Sequence, residues 1–518
     1  MKLTEKDNIL LAEKGITPQM LENQLALFNQ GVPFADLRAA ATLGDGVFAY
    51  NSTEQESLIT LFEERKEDLD LLKFTPASGA ATRMFKFLFA FLEEYRPEKE
   101  SVNAYINRKN AQDLRLFFVG IDNFPFYENV RSKLKEKYSQ EEQADVDLNR
   151  YRFVKSMLSK EELDFGNSPK GLFPFHLYKN HSTSAFEEHL FEAALYARTK
   201  GKARLHFTIS KEHHEAFKTQ FLSYKEKIEA KTETIFDISY SFQKPSTDTI
   251  AVNLKNEVVR NADGSLYFRP GGHGSLIENL NEQQADIIFI KNIDNVVVSQ
   301  FEKTVAHHKK VLAGKLLQLQ EQSFEYLTTI DTSDLNEKAI LKIVHFLQDT
   351  FNLKLASDFE KYSTKYQIEY LREQLDRPIR VCGMVKNEGE PGGGPFWVKC
   401  ESGRINLQII ESVQIDPKSD RQQHIKKASS HFNPVDIVCG VKDYKGNKYD
   451  LHKFIDKKAA FITYKTIQGK PIKAIEYPGL WNGAMANWNT IFVEVPLSTF
   501  NPVKTVNDLL KSAHQADK

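Results

Sequence analysis

Short apolar or alternating runs punctuate this chain, and longer amphipathic stretches separate them. Leu71-Leu-Lys-Phe-Thr, Leu205-His-Phe-Thr-Ile-Ser210, Ile235-Phe-Asp-Ile-Ser-Tyr-Ser-Phe-Gln243 and Ile287-Ile-Phe-Ile290 read as strands. The last is apolar throughout and bounded by polar residues, the pattern of a strand buried on both faces. Between them lie helical patterns, among them Ser182 to Ala197 and Ser275 to Leu280. Strands that alternate with helices predict an α/β domain with three layers and a Rossmann-like sheet.

The same pattern divides the chain. Residues 1–70 read as a helical N-terminal region, with Pro18 at the first position of a helix. Residues 71–300 form an α/β core, interrupted by a helical insertion over 87–165. Charged helical stretches such as Val130 to Gln143 suggest a lid or appendage there. Residues 301–376 are a helical excursion (Thr304 to Tyr326, Asp334 to Phe351). Residues 377–518 return to strands at Arg377 to Val385 and Ile405 to Ile415.

Composition removes several functional classes. The 69 Lys and Arg balance 70 Asp and Glu, so no global field draws the chain to nucleic acid or a membrane surface. A phosphate site therefore has to be local. Cys382, Cys400 and Cys439 have no paired spacing, which suggests reduced thiols. Met1-Lys-Leu-Thr-Glu-Lys-Asp has no apolar signal region, and no run approaches the ~20 apolar residues of a membrane span. The expected location is the cytoplasm. Oligomeric state is not legible. His213–His214 and His307–His308 lack ligand spacing and read as surface.

Three stretches carry chemistry. In the first, the strand at Leu71 runs into Ala77-Ser-Gly-Ala-Ala81 and then Thr82-Arg83 at a helix start. Small residues, free backbone N–H groups and a guanidinium suit a phosphate. In the second, Arg269-Pro-Gly-Gly-His-Gly-Ser is a turn whose glycines let backbone approach a flat ligand. In the third, the buried run at Ile287 breaks into Asn292-Ile-Asp-Asn295. Ligands of open α/β sheets sit beyond such strand ends, so Asp294 is placed to handle a metal or phosphate.

These pieces resemble the UTP–sugar-1-phosphate uridylyltransferases, the UDP-glucose and UDP-N-acetylhexosamine pyrophosphorylases. The resemblance covers about residues 70 to 510 in ordered fragments and implies a GT-A-type core, in a divergent and bacterial branch. It implies that Ser78, Gly79, Ala80 and Thr82 with Gln243, Gly272 and His273 hold the nucleotide. It implies phosphate-handling roles for Arg83, Lys170 in Ser168-Pro-Lys-Gly, and Lys504 in Phe500-Asn-Pro-Val-Lys-Thr-Val-Asn-Asp508. Lys244 is a further phosphate candidate. Asn295, Gly393, Glu411 and Asn433 fall on the sugar side, and Asp294 is the implied Mg²⁺ ligand. Two departures stand out. Ser78 and Ala81 replace family glycines, and the Ala81 methyl is expected to restrict the approach of phosphate. Lys170 also follows the Gly79 loop at much greater distance than in the family, so the insertion must loop out and return.

The expected partners are UTP and a sugar 1-phosphate, with no nucleic acid and no membrane. The expected reaction is Mg²⁺-dependent nucleotidyl transfer. The rival is a non-catalytic nucleotide-sugar binder with a degenerate loop. A glycosyltransferase is disfavoured because Ile293-Asp-Asn holds one carboxylate where Asp-x-Asp would hold two.

Overall fold

The computed structural model describes residues 3–517 except 80, 140–144, 357, 391, 401–402 and 468. The candidate Ala80 and the end of the Val130 to Gln143 stretch therefore lie outside the described residues. The chain forms two compact units. One comprises Met1–Phe74, Ser241–Ile290 and His308–Leu497; the other comprises Thr75–Tyr240, Lys291–His307 and Ser498–Lys518. The fold is mixed α/β, as the alternation of patterns predicts.

The first unit is built on a mixed sheet. Its strands run in the order Thr42–Leu43, Gly46–Phe48, Asn489–Glu494, Ile379–Lys386, His431–Gly440, Ile287–Ile290 and then the strand beginning at Leu71. Ile287–Ile290 pairs parallel with Leu71–Phe74 and antiparallel with Ile437–Cys439. All four of its residues are buried, because both faces of the sheet are covered. Leu72, Phe74, Ile288, Ile290, Cys382, Ile437 and Cys439 pack with Leu276, Leu280, Trp488 and Phe492 into one core. Two smaller sheets flank it, Asp36–Ala40 with Gly394–Lys399 and Ile405–Ile410, and Phe268–Arg269 with Thr249–Asn253, Lys470–Glu476 and Phe461–Ile467.

The N-terminal region departs from its helical expectation. Glu5–Lys14, Pro18–Gln30 and Ser52–Arg65 are helices, two of them started by capping boxes at Thr4 and Asn51. Asp36–Ala40 and Gly46–Phe48 are strands instead. Asp36–Ala40 pairs with Trp397 and its neighbours, and Gly46–Phe48 with Phe492 and Val493. Such distant partners decide the conformation of runs too short to show a period.

In the second unit, the strands Lys202–Ile209 and Ile235–Phe242 pair, and Pro174–Tyr178 forms a hairpin with His181–Ser184. The insertion is helical as expected, but it is a core in its own right. Phe91, Tyr95 and Tyr105 contact one another, and Phe117, Phe124, Phe126, Phe165 and Phe173 continue the ring-to-ring packing. Among the described residues no helix is long and apolar enough to cross a membrane.

Candidate functional site

Four segments distant in sequence meet in the second unit. The strand that begins at Leu71 ends at Pro76, and Ala77 N–H continues the pairing by donating to the Thr208 carbonyl at 2.8 Å. The loop after it is tied to the Pro169-Lys170 turn. Lys170 N–H donates to the Gly79 carbonyl at 3.1 Å and Ala81 N–H to the Ser168 carbonyl at 3.1 Å. The Thr82 hydroxyl donates to Gly166 O at 2.8 Å. The insertion thus returns to its starting point, as the late position of Lys170 requires. Gly171 is needed because an added Cβ would lie 2.9 Å from the Ile293 side chain and 3.1 Å from Phe217.

The third segment follows Ile290. Ile293 N–H donates to Pro76 O at 3.1 Å, and the Lys170 ammonium meets the Asp294 carboxylate at 2.7 Å. The side chains of Lys170 and Asp294 retain 15% and 21% of their accessible surface, so a ligand can reach both. The fourth segment is C-terminal. Val503 N–H donates to Asp294 O at 3.2 Å, which sets the Lys504 backbone beside Asp294. Ser78, Gly79, Thr82 and Arg83 are exposed on the loop. An added Cβ at Gly79 would meet nothing within 4 Å.

Two expectations change here. The Ala81 methyl is fully buried in the interior and does not face the loop's open side. Its departure from glycine therefore leaves the approach to Gly79 unobstructed. Asn295, placed by resemblance on the sugar side, is 3% exposed. Its amide donates to Thr499 O at 3.2 Å and accepts from Asn501 N–H at 2.8 Å, so it clamps the C-terminal segment. Asp508 receives the N–H groups of Lys504 and Thr505 at 2.8 and 2.7 Å and caps the short helix Val506–Leu510. Burial works against the charged form of Asp508, but Lys511 and these N–H donors outweigh it and hold the carboxyl below its ordinary range.

Sequence reasoning missed what supports Asp294. Helix Ala185–Tyr196 turns three polar side chains inward, Glu188, His189 and Glu192. Glu192 pairs with Lys291 at 2.7 Å, with side-chain exposures of 1% and 0%. His189 Nε2 donates to the Ile293 carbonyl at 3.2 Å. The signal was present as Glu188 and Glu192, one turn apart on the buried face of one helix, and as a lysine directly after an apolar strand.

The first unit holds the other candidates. The Gly271–Ser275 turn packs on backbone. Added Cβ atoms would come within 2.2 Å of Thr247 O at Gly271 and 2.3 Å of Pro478 O at Gly274, while Gly272 has φ +75°. The His273 ring lies 3.9 Å from that of Trp481, edge to face. Gln243 sits at the end of its strand, 3.5 Å from the Thr247 hydroxyl. Lys244 is turned to Glu282 at 2.5 Å and Glu278 at 3.8 Å rather than presented alone to phosphate.

Gly393, Glu411 and Asn433 come together. The Asn433 amide donates to Glu411 Oε1 at 3.1 Å, and an added Cβ at Gly393 would lie 2.8 Å from Asn433 Oδ1. Asn482, which sequence reasoning passed over, donates to the same Glu411 oxygen at 3.1 Å. The neighbouring Trp481 carbonyl accepts from the fully buried Arg380 at 2.6 Å. Trp481-Asn482 therefore links the glycine turn to Glu411. No group of three or more His, Cys, Asp or Glu side chains is arranged for a metal among the described residues. Asp294 is a single carboxylate, which suits Mg²⁺ bound largely by phosphate oxygens and water.

Solved structures similar to this chain include two pyrophosphorylases. One is the uridine diphosphate N-acetylglucosamine pyrophosphorylase of Trypanosoma brucei in complex with an inhibitor. It is 10% identical with TM-score 0.48, and the match covers 98% of this chain and 79% of that one. The other is a UDP-glucose pyrophosphorylase mutant from Leishmania major in complex with UDP-glucose. It is 12% identical with TM-score 0.43, over 100% and 80% of the two chains. Among curated proteins none matches significantly. Residues 4–515 match the family model described as "Domain of unknown function (DUF4301)", and the chain belongs to that family.

Proposed function

We propose that this protein is a nucleotidyltransferase that joins UTP and a sugar 1-phosphate, giving a UDP-sugar and pyrophosphate. The observation that carries the reading is the Lys170–Asp294 contact at 2.7 Å, with the Gly79 loop and the Lys504 backbone tied to its two partners. In-line transfer at phosphorus needs no side-chain nucleophile. An oxygen of the sugar phosphate attacks the α-phosphorus as its bond to the β-phosphate oxygen breaks. The protein has to align two polyanions and neutralise their charge. Arg83, Lys170 and Lys504 are the cations for this task, and the N–H groups of the Ser78–Gly79 loop are added donors. Asp294 would hold Mg²⁺ with phosphate oxygens, and the ion would supply charge neutralisation when bound.

The test is incubation of the full chain with Mg²⁺, UTP and hexose or N-acetylhexosamine 1-phosphates, reading pyrophosphate. Turnover that falls about 100-fold or more in Lys170→Met and Asp294→Asn is expected, from the usual cost of losing one charge-stabilising group. Binding of UTP or UDP-sugars by calorimetry with no pyrophosphate from any pair would replace the enzyme by a nucleotide-sugar binder. Absence of both binding and turnover in folded protein would remove the reading altogether.

A further inference from the structure

Beneath the Asp294 loop runs a line of buried polar groups that phosphate chemistry does not require. Glu188 Oε1 lies 2.7 Å from His176 Nδ1; His176 Nε2 lies 3.0 Å from His514 Nδ1; His514 Nε2 lies 3.1 Å from the Asn501 carbonyl. His176 and Glu188 are fully buried and His514 is 1% exposed. The line begins on the Ala185–Tyr196 helix and ends three residues before Lys504.

Counting donors fixes the protons. The Asn501 carbonyl can only accept, so His514 carries its proton on Nε2 and offers a lone pair at Nδ1. His176 must then donate from Nε2, which leaves its Nδ1 bare in the neutral ring. A bare Nδ1 facing a carboxylate is repulsive, so the Glu188–His176 contact needs one further proton. Burial decides its place. It pushes Glu188 up to about 7 and His176 down to about 3, so the proton rests on Glu188, which donates to a neutral imidazole. His514 is likewise neutral, held down to about 3 by burial and by His176.

We propose that Glu188, acting through His176 and His514, is a positioning residue for the segment that carries Lys504, and that its hold depends on the proton it shares with His176. Loss of that proton turns the line around. His176 would present Nδ1–H to the carboxylate, His514 would have to donate from Nδ1, and its bare Nε2 would face the Asn501 carbonyl. The last contact is then lost, and with it the tie to the C-terminal segment.

Two of the groups that face Glu188 work against this proton, and burial outweighs them. Tyr178 donates to Oε1 at 3.1 Å while receiving Ser299 N–H at 3.0 Å, and the Thr183 hydroxyl donates to the same oxygen. Glu302 lies against Glu188 from the helix Ser299–Thr332, and burial and the Glu188 charge push it up to about 8. Glu192, on the same helix as Glu188, pairs with Lys291, yet its charge still favours the proton on Glu188 and on His176. Glu187 beside Glu188 is pushed up to about 7 by burial and by Glu188. Lys231 faces Glu302, and Asp508 and Lys511 face His514. Because Glu188 is raised in the closed state, the closed state binds the extra proton, and opening grows as pH rises from the ordinary carboxylate range to about 7, levelling by about 8.

The experiment is hydrogen exchange on the full chain from pH 5 to 8.5, corrected for intrinsic rates and read on peptides spanning 498–516. In the wild type, opening of this segment should rise by up to about tenfold per pH unit below 7, the slope of one proton, and then flatten. Glu188→Gln, whose amide donates to His176 at every pH, should give a flat and protected profile. Glu302→Gln, whose amide replaces the Glu302 carboxyl as a donor to Glu188, should keep the slope and leave its midpoint near the wild-type value. A flat wild-type profile, or a slope that persists in Glu188→Gln, would overturn the proposal. The wild-type profile needs no substitution, so a variant that fails to fold leaves the test intact. The consequence for Lys504 in catalysis rests on the nucleotidyltransferase reading, but exchange does not. Pyrophosphate release that fails while the exchange slope persists removes that reading and leaves the latch.

Discussion

Replacing Lys291 by methionine tests whether the Asp294 loop is held from below. Lys291 and Glu192 meet at 2.7 Å with side-chain exposures of 0% and 1%, so water screens neither charge. Methionine keeps the length of the lysine stem and removes the ammonium, which leaves the Glu192 carboxylate buried without its cation. Breaking such a pair on one side costs about 3–5 kcal/mol, most of it the desolvation of the remaining charge. Against a total stability of about 5–15 kcal/mol this is a large fraction. Glu192→Leu with Lys291→Met removes both charges and fills the space, and should return to within about 1 kcal/mol of the wild type. The assay is urea unfolding of the four proteins in this cycle at pH 7, with an expected coupling of about 3 kcal/mol or more. A methionine variant that loses less than about 1 kcal/mol would refute the reasoning. So would a double variant that loses the sum of the singles. The site should register the change too. Lys291 stands three residues before Asp294, and a misplacement of about 1 Å in a reacting geometry costs on the order of 100-fold in rate.

Other outcomes follow from single contacts. Asn295→Ala removes both hydrogen bonds that pin Thr499 and Asn501, and should cost about 1–3 kcal/mol while hastening proteolysis between 498 and 503. Gly393→Ala drives a methyl to within 2.3 Å of Ile410 O and 2.8 Å of Asn433 Oδ1, and should lower thermal stability by about 1–3 kcal/mol at the melting point. The Asp7 carboxyl is held down to about 2, mainly by its hydrogen bonds with the Arg260 guanidinium. A carboxyl lowered in the folded state stabilises above its unfolded value, and that contribution is lost as pH falls toward about 2. Thermal melts of the wild type and Arg260→Leu should therefore differ most above pH 4 and converge on acidification.

What could be read from the chain followed from how local its cause was. The Ile287–Ile290 strand was legible because burial on both faces leaves an unbroken apolar run. Lys170 was picked out by the resemblance of its Pro-Lys pair to the family's, which survives the insertion because the pair is local. In the structure the glycine at 393 leaves room for the Asn433 amide, but the Gly393, Glu411 and Asn433 grouping was legible only through the resemblance. Asn482 was not, because its amide reaches Glu411 only once the 478–483 loop has folded. Asn295 was misread for a related reason. A buried amide at a strand end looks the same in sequence whether it binds a ligand or another piece of chain. The two histidine pairs drew notice by adjacency, while the histidines in the buried line, His176 and His514, stand 338 residues apart.

The return of the insertion to its own root has a further consequence. Lys170 N–H to Gly79 O and Ala81 N–H to Ser168 O close the base of the whole excursion, so everything between them begins and ends at nearly the same point in space. Its length is thereby decoupled from the placement of the lysine. A protein engineer could graft a foreign module at an outer turn of the insertion with Lys170 left in register.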